Sequence, residues 1–190
     1  MLVLLSPAKS LDFQSELRTQ KHSSPRMMSE SSELIEVLLT HSPDSIADLM
    51  SISGKLSALN VERYQNWEPE ASVENSRPAA LAFSGDVYSG MDLSRYSERD
   101  FTRAQKQIRI LSGLYGLLRP LDLIQPYRLE MGTKLRTTRG TNLYEFWGDQ
   151  ITHMLEDELS NHRSRVLVNL ASNEYFGVVD PKKLTARVVA

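Results

Sequence analysis

Three stretches of this chain gather side chains that could hold an anion. In Ser6-Pro-Ala-Lys9-Ser10-Leu-Asp12, a Lys and an Asp follow a short apolar run. Residues placed there would face the edge at which open α/β sheets receive ligands. A strand end with a solvated Lys9 and a capping Asp12 accounts for the same residues. Phe83-Ser84-Gly85-Asp86-Val87-Tyr88-Ser89-Gly90 repeats the arrangement, with glycines that let backbone approach a ligand and Asp86 between them. Its plainer reading is a tight turn in which Asp86 bonds its own backbone.

The densest stretch runs from Leu111 to Lys134. Arg119 and Arg128 each carry a planar fork that suits phosphate or carboxylate, and Tyr115 and Tyr127 could stack on bases or donate to phosphate oxygen. Asp122 and Glu130 could orient the arginines, and Lys134 adds a further cation. An internal network of Arg with carboxylate explains the acids as well, but it leaves the surplus cations without a role.

Residues 43–66 read as two short helices joined at Ser53-Gly54-Lys55. In a helix-hairpin-helix, the amides of the hairpin and of the second helix bind a DNA phosphate without reading sequence. Ile52 and Gly54 fit that motif, whereas Leu56 stands where such hairpins usually carry a second glycine. An antiparallel helical pair is the other reading. His153 and Glu156 stand three apart beside Asp157 and Glu158, but His22, His41 and His162 are scattered, so neither a metal site nor a cofactor is expected.

The elements that must position these groups follow from pattern. Met1 to Leu5 is a continuous apolar run that suits a strand covered on both faces, and Leu81 to Phe83, Val166 to Leu170 and Ala186 to Val189 are further strand candidates. Helical faces come from Leu34, Ile35 and Leu38; from Ile46, Leu49 and Met50 behind a Ser42 cap and Pro43; and from Leu56, Leu59 and Tyr64. Ser97 with Asp100 reads as a capping box opening a helix through Phe101, Ala104, Ile108 and Leu111. Asn142 with Glu145 caps one long stripe from Leu143 through Trp147 to Leu159. Gln65 to Arg77 and Leu118 to Gly140 read as loops, and the second is both basic and long enough to be functional.

The totals exclude several classes. The chain has 190 residues, 41% of them hydrophobic and 24% charged, which suits one globular domain over residues 1–190. There is no Cys, which removes disulfides, thiolate metal sites and a cysteine nucleophile. The apolar start stops at Ser6-Pro7, too short for a signal or a membrane span, so a cytoplasmic protein is expected. A net charge of −2 conceals an asymmetry: residues 30–100 hold 13 acidic and 5 basic side chains, and residues 103–139 hold 8 basic and 2 acidic. The second segment can hold a positive potential over a cleft. No Gly-rich phosphate loop and no nucleophile elbow is present. The strand-like Leu184 to Val189 runs to the last residue without a turn, which reads as a truncated C-terminus.

Seven of these segments, in order, resemble the YaaA peroxide stress family: Leu4 to Lys9, Phe83 to Gly90, Leu111 to Gly116, Leu118 to Asp122, Pro126 to Gly132, Leu143 to Trp147 and Asn169 to Tyr175. The resemblance implies a mixed α/β (α+β) fold particular to the family, with a central mixed sheet, flanking helices and a helix-hairpin-helix-like element. It implies a role in the response to hydrogen peroxide, limiting unincorporated iron, and DNA binding through a positively charged cleft. By position, Lys9, Asp12, Asp86, Arg119, Tyr127, Arg128, Glu130 and Lys134 would line that cleft, and the family continues beyond this C-terminus with a basic segment and a closing helix. Three hypotheses follow: a monomeric protein binding duplex or distorted DNA, an enzyme acting on a small phosphorylated or carboxylated ligand, and direct iron sequestration, for which no ligand set stands out.

Overall fold

The four residues of β1 (Leu2–Leu5) are all apolar, and the strand lies at the middle of a sheet with neighbours on both sides. The computed structural model describes residues 1–190. After β1 come β2 (Ser10–Leu11), α1 (Met28–Leu39), α2 (Pro43–Met50), α3 (Gly54–Gln65), β3 (Arg77–Pro78), α4 (Ala79–Ala82), β4 (Phe83–Ser84) and α5 (Asp86–Gly90). Next are α6 (Glu98–Gln107), β5 (Ile108–Ser112), β6 (Gly116–Leu118), β7 (Leu123–Ile124), α7 (Leu143–Trp147), α8 (Gln150–Ser160), β8 (Val166–Asn169), α9 (Asn173–Phe176) and β9 (Arg187–Val189).

The sheet runs in the order β6-β5-β1-β8-β9. β1 is parallel to β5 and β8, β9 is parallel to β8, and β6 turns back antiparallel on β5. This is a mixed α/β protein with a mixed central sheet, as expected. Two short antiparallel pairs, β2 with β4 and β3 with β7, fasten the connecting segments outside it. No helix is long and apolar enough to cross a membrane.

Several boundaries differ from the pattern. The Ser97 and Asp100 capping box is present, but α6 ends at Gln107, and Ile108 is already extended as the first residue of β5. Ile108-Arg-Ile-Leu is rich in residues that favour a pleated, covered surface, and the ladder to β1 outweighs continuation of the helical stripe. The expected strand at Leu81 to Phe83 is mostly the single helical turn α4, which is all Ala and Leu; only Phe83 and Ser84 are extended. The long stripe from Leu143 to Leu159 is broken at Gly148, whose φ of +47° with ψ of −127° lies outside the left-handed helical well and suits glycine, so it becomes α7 and α8. Asn142 accepts from the Glu145 N–H at 3.0 Å, while the Glu145 carboxylate takes the Thr141 N–H at 2.6 Å, one residue before a capping box would.

On α3 the predicted apolar face is turned outward. Leu56 and Leu59 are each 40% exposed, whereas Ser57, Asn60 and Tyr64 are buried. Small and polar groups let α3 lie close on α2: the Ser57 hydroxyl donates to the Pro43 carbonyl, and the Tyr64 hydroxyl meets Met50 Sδ at 3.8 Å.

The segment after β6 is far from a surface loop. Between Leu121 and Leu135, Asp122, Ile124, Gln125, Tyr127, Leu129, Met131 and Thr133 are buried, and from Tyr127 to Glu130 the chain alternates one buried residue with one facing out. On the far flank, Glu158 of α8 joins Arg109 of β5 at 2.5 Å and Arg26 at 2.5 Å. Burial alone would push the Glu158 carboxyl up, but the two guanidiniums hold it below the usual carboxylate range.

Candidate functional site

Parallel pairing brings the carboxyl ends of β1, β5 and β8 to one edge, and each end is tied to an irregular segment. The Tyr88 hydroxyl donates to the Ser6 carbonyl at 2.8 Å, and the Ser172 N–H donates to Ser6 Oγ at 2.9 Å. Ser112, the last residue of β5, has its hydroxyl 2.6 Å from that of Tyr127. The Tyr127–Glu130 stretch is clamped from both sides: the Tyr64 hydroxyl of α3 donates to the Arg128 carbonyl, and Gly113 lies under Leu129 so closely that a Cβ there would be 2.2 Å from its carbonyl oxygen.

This clamp turns Arg128 and Glu130 outward together, since side chains two apart on an extended chain share a face. Glu130 Oε1 accepts from Arg128 Nη2 at 2.7 Å, and Glu130 Oε2 lies 3.2 Å from Lys9 Nζ. One carboxylate thus stands between two cations. Arg128 Nε is shielded from solvent and has no hydrogen-bond partner. Around these groups is a hollow of about 20 Å³ with Tyr127 and Tyr175 in its wall, room for roughly one water.

The phenols in and behind the wall of the hollow are neutral. Burial raises Tyr127 well above its ordinary pKa, with Tyr175 adding to the effect, and burial also raises Tyr175, helped by Glu174 and Glu130. Tyr115 is pushed up to about 12 by burial. A general base built on these hydroxyls is therefore disfavoured.

Of the residues expected to share a cleft, Lys9, Arg128 and Glu130 meet directly, with Tyr127 beneath them. Asp86 is exposed on the same rim: the Ser10 to Ser84 pairing, extended by one step, sets Lys9 across from Gly85. The others do different work. Asp12 accepts from the Gln14 and Ser15 N–H groups, both at 2.9 Å, and these bonds, those of Ser15 foremost, lower its pKa to about 2; it caps its own turn. Tyr115 is a core post that accepts from Trp67 Nε1 at 2.9 Å and from the Gln125 N–H at 3.1 Å, packed edge-on to Tyr127, so it offers no face to a base.

Arg119 and Asp122 lie at the opposite edge, because β6 runs antiparallel and Leu118 pairs back with Ile110. There the Arg119 guanidinium meets buried Asp122 at 2.8 Å and donates to the Ser24 carbonyl at 3.0 Å. That pair is the internal network the residues also allowed. Lys134 is exposed beyond the turn at Met131 and Gly132, outside the lining of the hollow. Ser53 caps α3 through the Leu56 N–H at 3.4 Å, and Gly54 and Lys55 begin that helix. The ten residues from Gly54 to Tyr64 separate this hairpin from the Arg128 contact by about 15 Å.

Sequence reasoning passed over Tyr64 as a site residue, Tyr175, and Arg63. Arg63 borders a separate cavity of about 470 Å³ between α3, Leu11, Phe13 and Pro126. Its guanidinium is half-buried, which lowers its pKa from the ordinary value, and it makes one side-chain bond, to Asn60 at 3.3 Å. A cation four residues after Leu59, on the same helical face as Leu56 and Leu59, was the available signal. The Glu156 carboxylate, once a possible metal ligand with His153, is taken by the Thr185 N–H at 2.8 Å and by the Thr185 hydroxyl.

Comparison with known proteins covers the whole of this architecture. A UPF0246 protein of Tolumonas auensis is 57% identical over 189 residues, spanning 100% of this chain and 73% of its own length. The family described as peroxide stress protein YaaA matches residues 1–190, so the strand-end hollow, its clamp and its buried posts all fall within the match, and the chain belongs to that family.

Proposed function

We propose that this chain acts in the response to peroxide by binding DNA, without strong sequence preference, through the surface around Lys9 and Arg128, and thereby helps limit damage from unincorporated iron. The observation that carries the reading is the sharing of one carboxylate, Glu130, by two cations at the carboxyl edge of the sheet. Within that trio two cations face one carboxylate, and the Arg128 fork has the geometry that suits a phosphate, although Asp86 and Glu174 add negative charge close by. Not every cation of the basic segment contributes. Arg109, Arg119 and Arg139 are consumed by Glu158, Asp122 and Glu33, while Arg103, Lys106, Lys134 and Arg136 make no ion pair. The Ser53 to Lys55 hairpin would add backbone amides to a second phosphate about one helix length away.

Titration of duplex DNA at rising salt tests this. Affinity should fall steeply, and Arg128→Ala should weaken unrelated sequences alike while reducing the salt slope by about 1. Binding indifferent to salt and to Arg128 removes the reading. A second reading, an enzyme acting on a small phosphorylated or carboxylated ligand, is supported by the separate cavity of about 470 Å³ at Arg63, Asn66 and Gln125, a size typical of small-molecule sites. A thermal-shift screen of metabolites that finds no ligand, with peroxide survival intact in Arg63→Ala and Lys9→Ala strains, counts against it.

A further inference from the structure

We infer that Lys9 and Arg128 form a seat for a single phosphate group and that Glu130 is its built-in competitor, so that phosphate binds only when the Glu130 carboxylate swings out. The inference rests on the proposed phosphate-binding role of this edge and gives that role an internal control.

Glu130 holds its place weakly for a residue between two cations. It stands two positions from Arg128 on an extended chain, and from there it reaches only the outer nitrogen, Nη2, at 2.7 Å. The Nε–H beside it is buried and unused. A guanidinium presents Nε and Nη2 as a matched fork, and an oxyanion arriving from outside can take both. A buried donor left without a partner carries a cost that such a ligand would relieve. On its other side Glu130 meets Lys9 at 3.2 Å, where the Lys side chain is 67% exposed and the interaction is open to solvent.

With Glu130 in place the hollow holds about 20 Å³, enough for a water and too little for a phosphate group. The Glu130 carboxylate is one of the groups that line the hollow, so a phosphate reaching both cations has to displace it. Both a phosphodiester of DNA and free inorganic phosphate have the required chemistry, and the two are separated by experiment.

Inorganic phosphate and a mixed-sequence duplex are each titrated into full-length wild-type protein, Glu130→Gln and Arg128→Lys. Glu130→Gln should tighten phosphate binding about fivefold and make the duplex salt slope steeper by about 1. Arg128→Lys keeps the charge but loses the fork, and should weaken phosphate binding about tenfold. Should Glu130→Gln melt early, Glu130→Ala, measured below its own melting temperature, carries the same expectation. Phosphate affinity unchanged or weakened in folded Glu130 variants overturns the competitor. Steep, salt-dependent duplex binding by wild type with no response to Glu130 leaves the DNA reading standing and removes the seat. Tightened phosphate binding with no duplex binding does the reverse, and supports a free phosphorylated ligand.

Discussion

Asp122 is fully buried and accepts from the Arg119 backbone N–H at 2.8 Å, from the Arg119 side chain and from the Ser23 hydroxyl at 2.6 Å, so removing it orphans several donors together. Asp122→Ala should cost about 3–5 kcal/mol in urea unfolding. Arg119→Ala should also destabilise, yet leave the duplex salt slope of the folded protein unchanged, because the pair lies at the edge remote from the hollow; a reduced slope would return Arg119 to the site. Asp12 is the opposite case, a surface carboxylate held at a pKa of about 2 by hydrogen bonds from Ser15 and Gln14. A depressed pKa means that the stabilisation is complete above the unfolded value of about 4 and is lost as pH falls through about 2. The stability gap between wild type and Asp12→Ala, about 1 kcal/mol at pH 6, should therefore narrow over that window. A gap that does not change with pH would show that the charge of Asp12 is irrelevant to its turn.

Two glycines separate crowding from backbone strain at the level of elements. Gly113, in the turn from β5 to β6, has no room for a Cβ because the Leu129 carbonyl oxygen would be 2.2 Å away, and backbone cannot step aside cheaply. Gly113→Ala should destabilise by about 1–3 kcal/mol and, by displacing the stretch that carries Arg128 and Glu130, weaken phosphate binding in the folded fraction as well. Gly148 has open space around it but a φ of +47°, so Gly148→Ala should cost about 1 kcal/mol and leave the hollow untouched. Equal effects of the two on phosphate titration would contradict the clamp. The same elements explain what could be read beforehand. β1, β8, β9 and the caps of α2 and α6 follow from local pattern, because their side chains meet neighbours of the expected kind. The stop of α6 at Gln107 and the outward turn of Leu56 and Leu59 depend on partners remote in sequence, which periodicity does not see. Arg119 with Asp122 and Arg128 with Glu130 look alike along the chain, and only the direction of β6 sends one pair away from the carboxyl edge of the sheet.

Across the whole molecule, the ion triad of Arg26, Arg109 and Glu158 bolts α8 to β5 behind the sheet. Removing the charge at Glu158→Gln should cost about 3 kcal/mol, and since its carboxyl is held low, that contribution should be lost as pH falls below the ordinary Glu range rather than above it. The order of the sheet has a consequence for synthesis. β1 is made first but stands at the centre, and its two neighbours begin at Ile108 and Val166. At about 5–20 residues per second, a ribosome leaves Leu2–Leu5 without a partner for roughly 5 to 20 seconds, an apolar strand waiting with both edges open. Nascent chains arrested before Ile108 should accordingly be held by chaperones and cut readily by protease, and the phosphate seat should mature only once Tyr175 has emerged to close its wall.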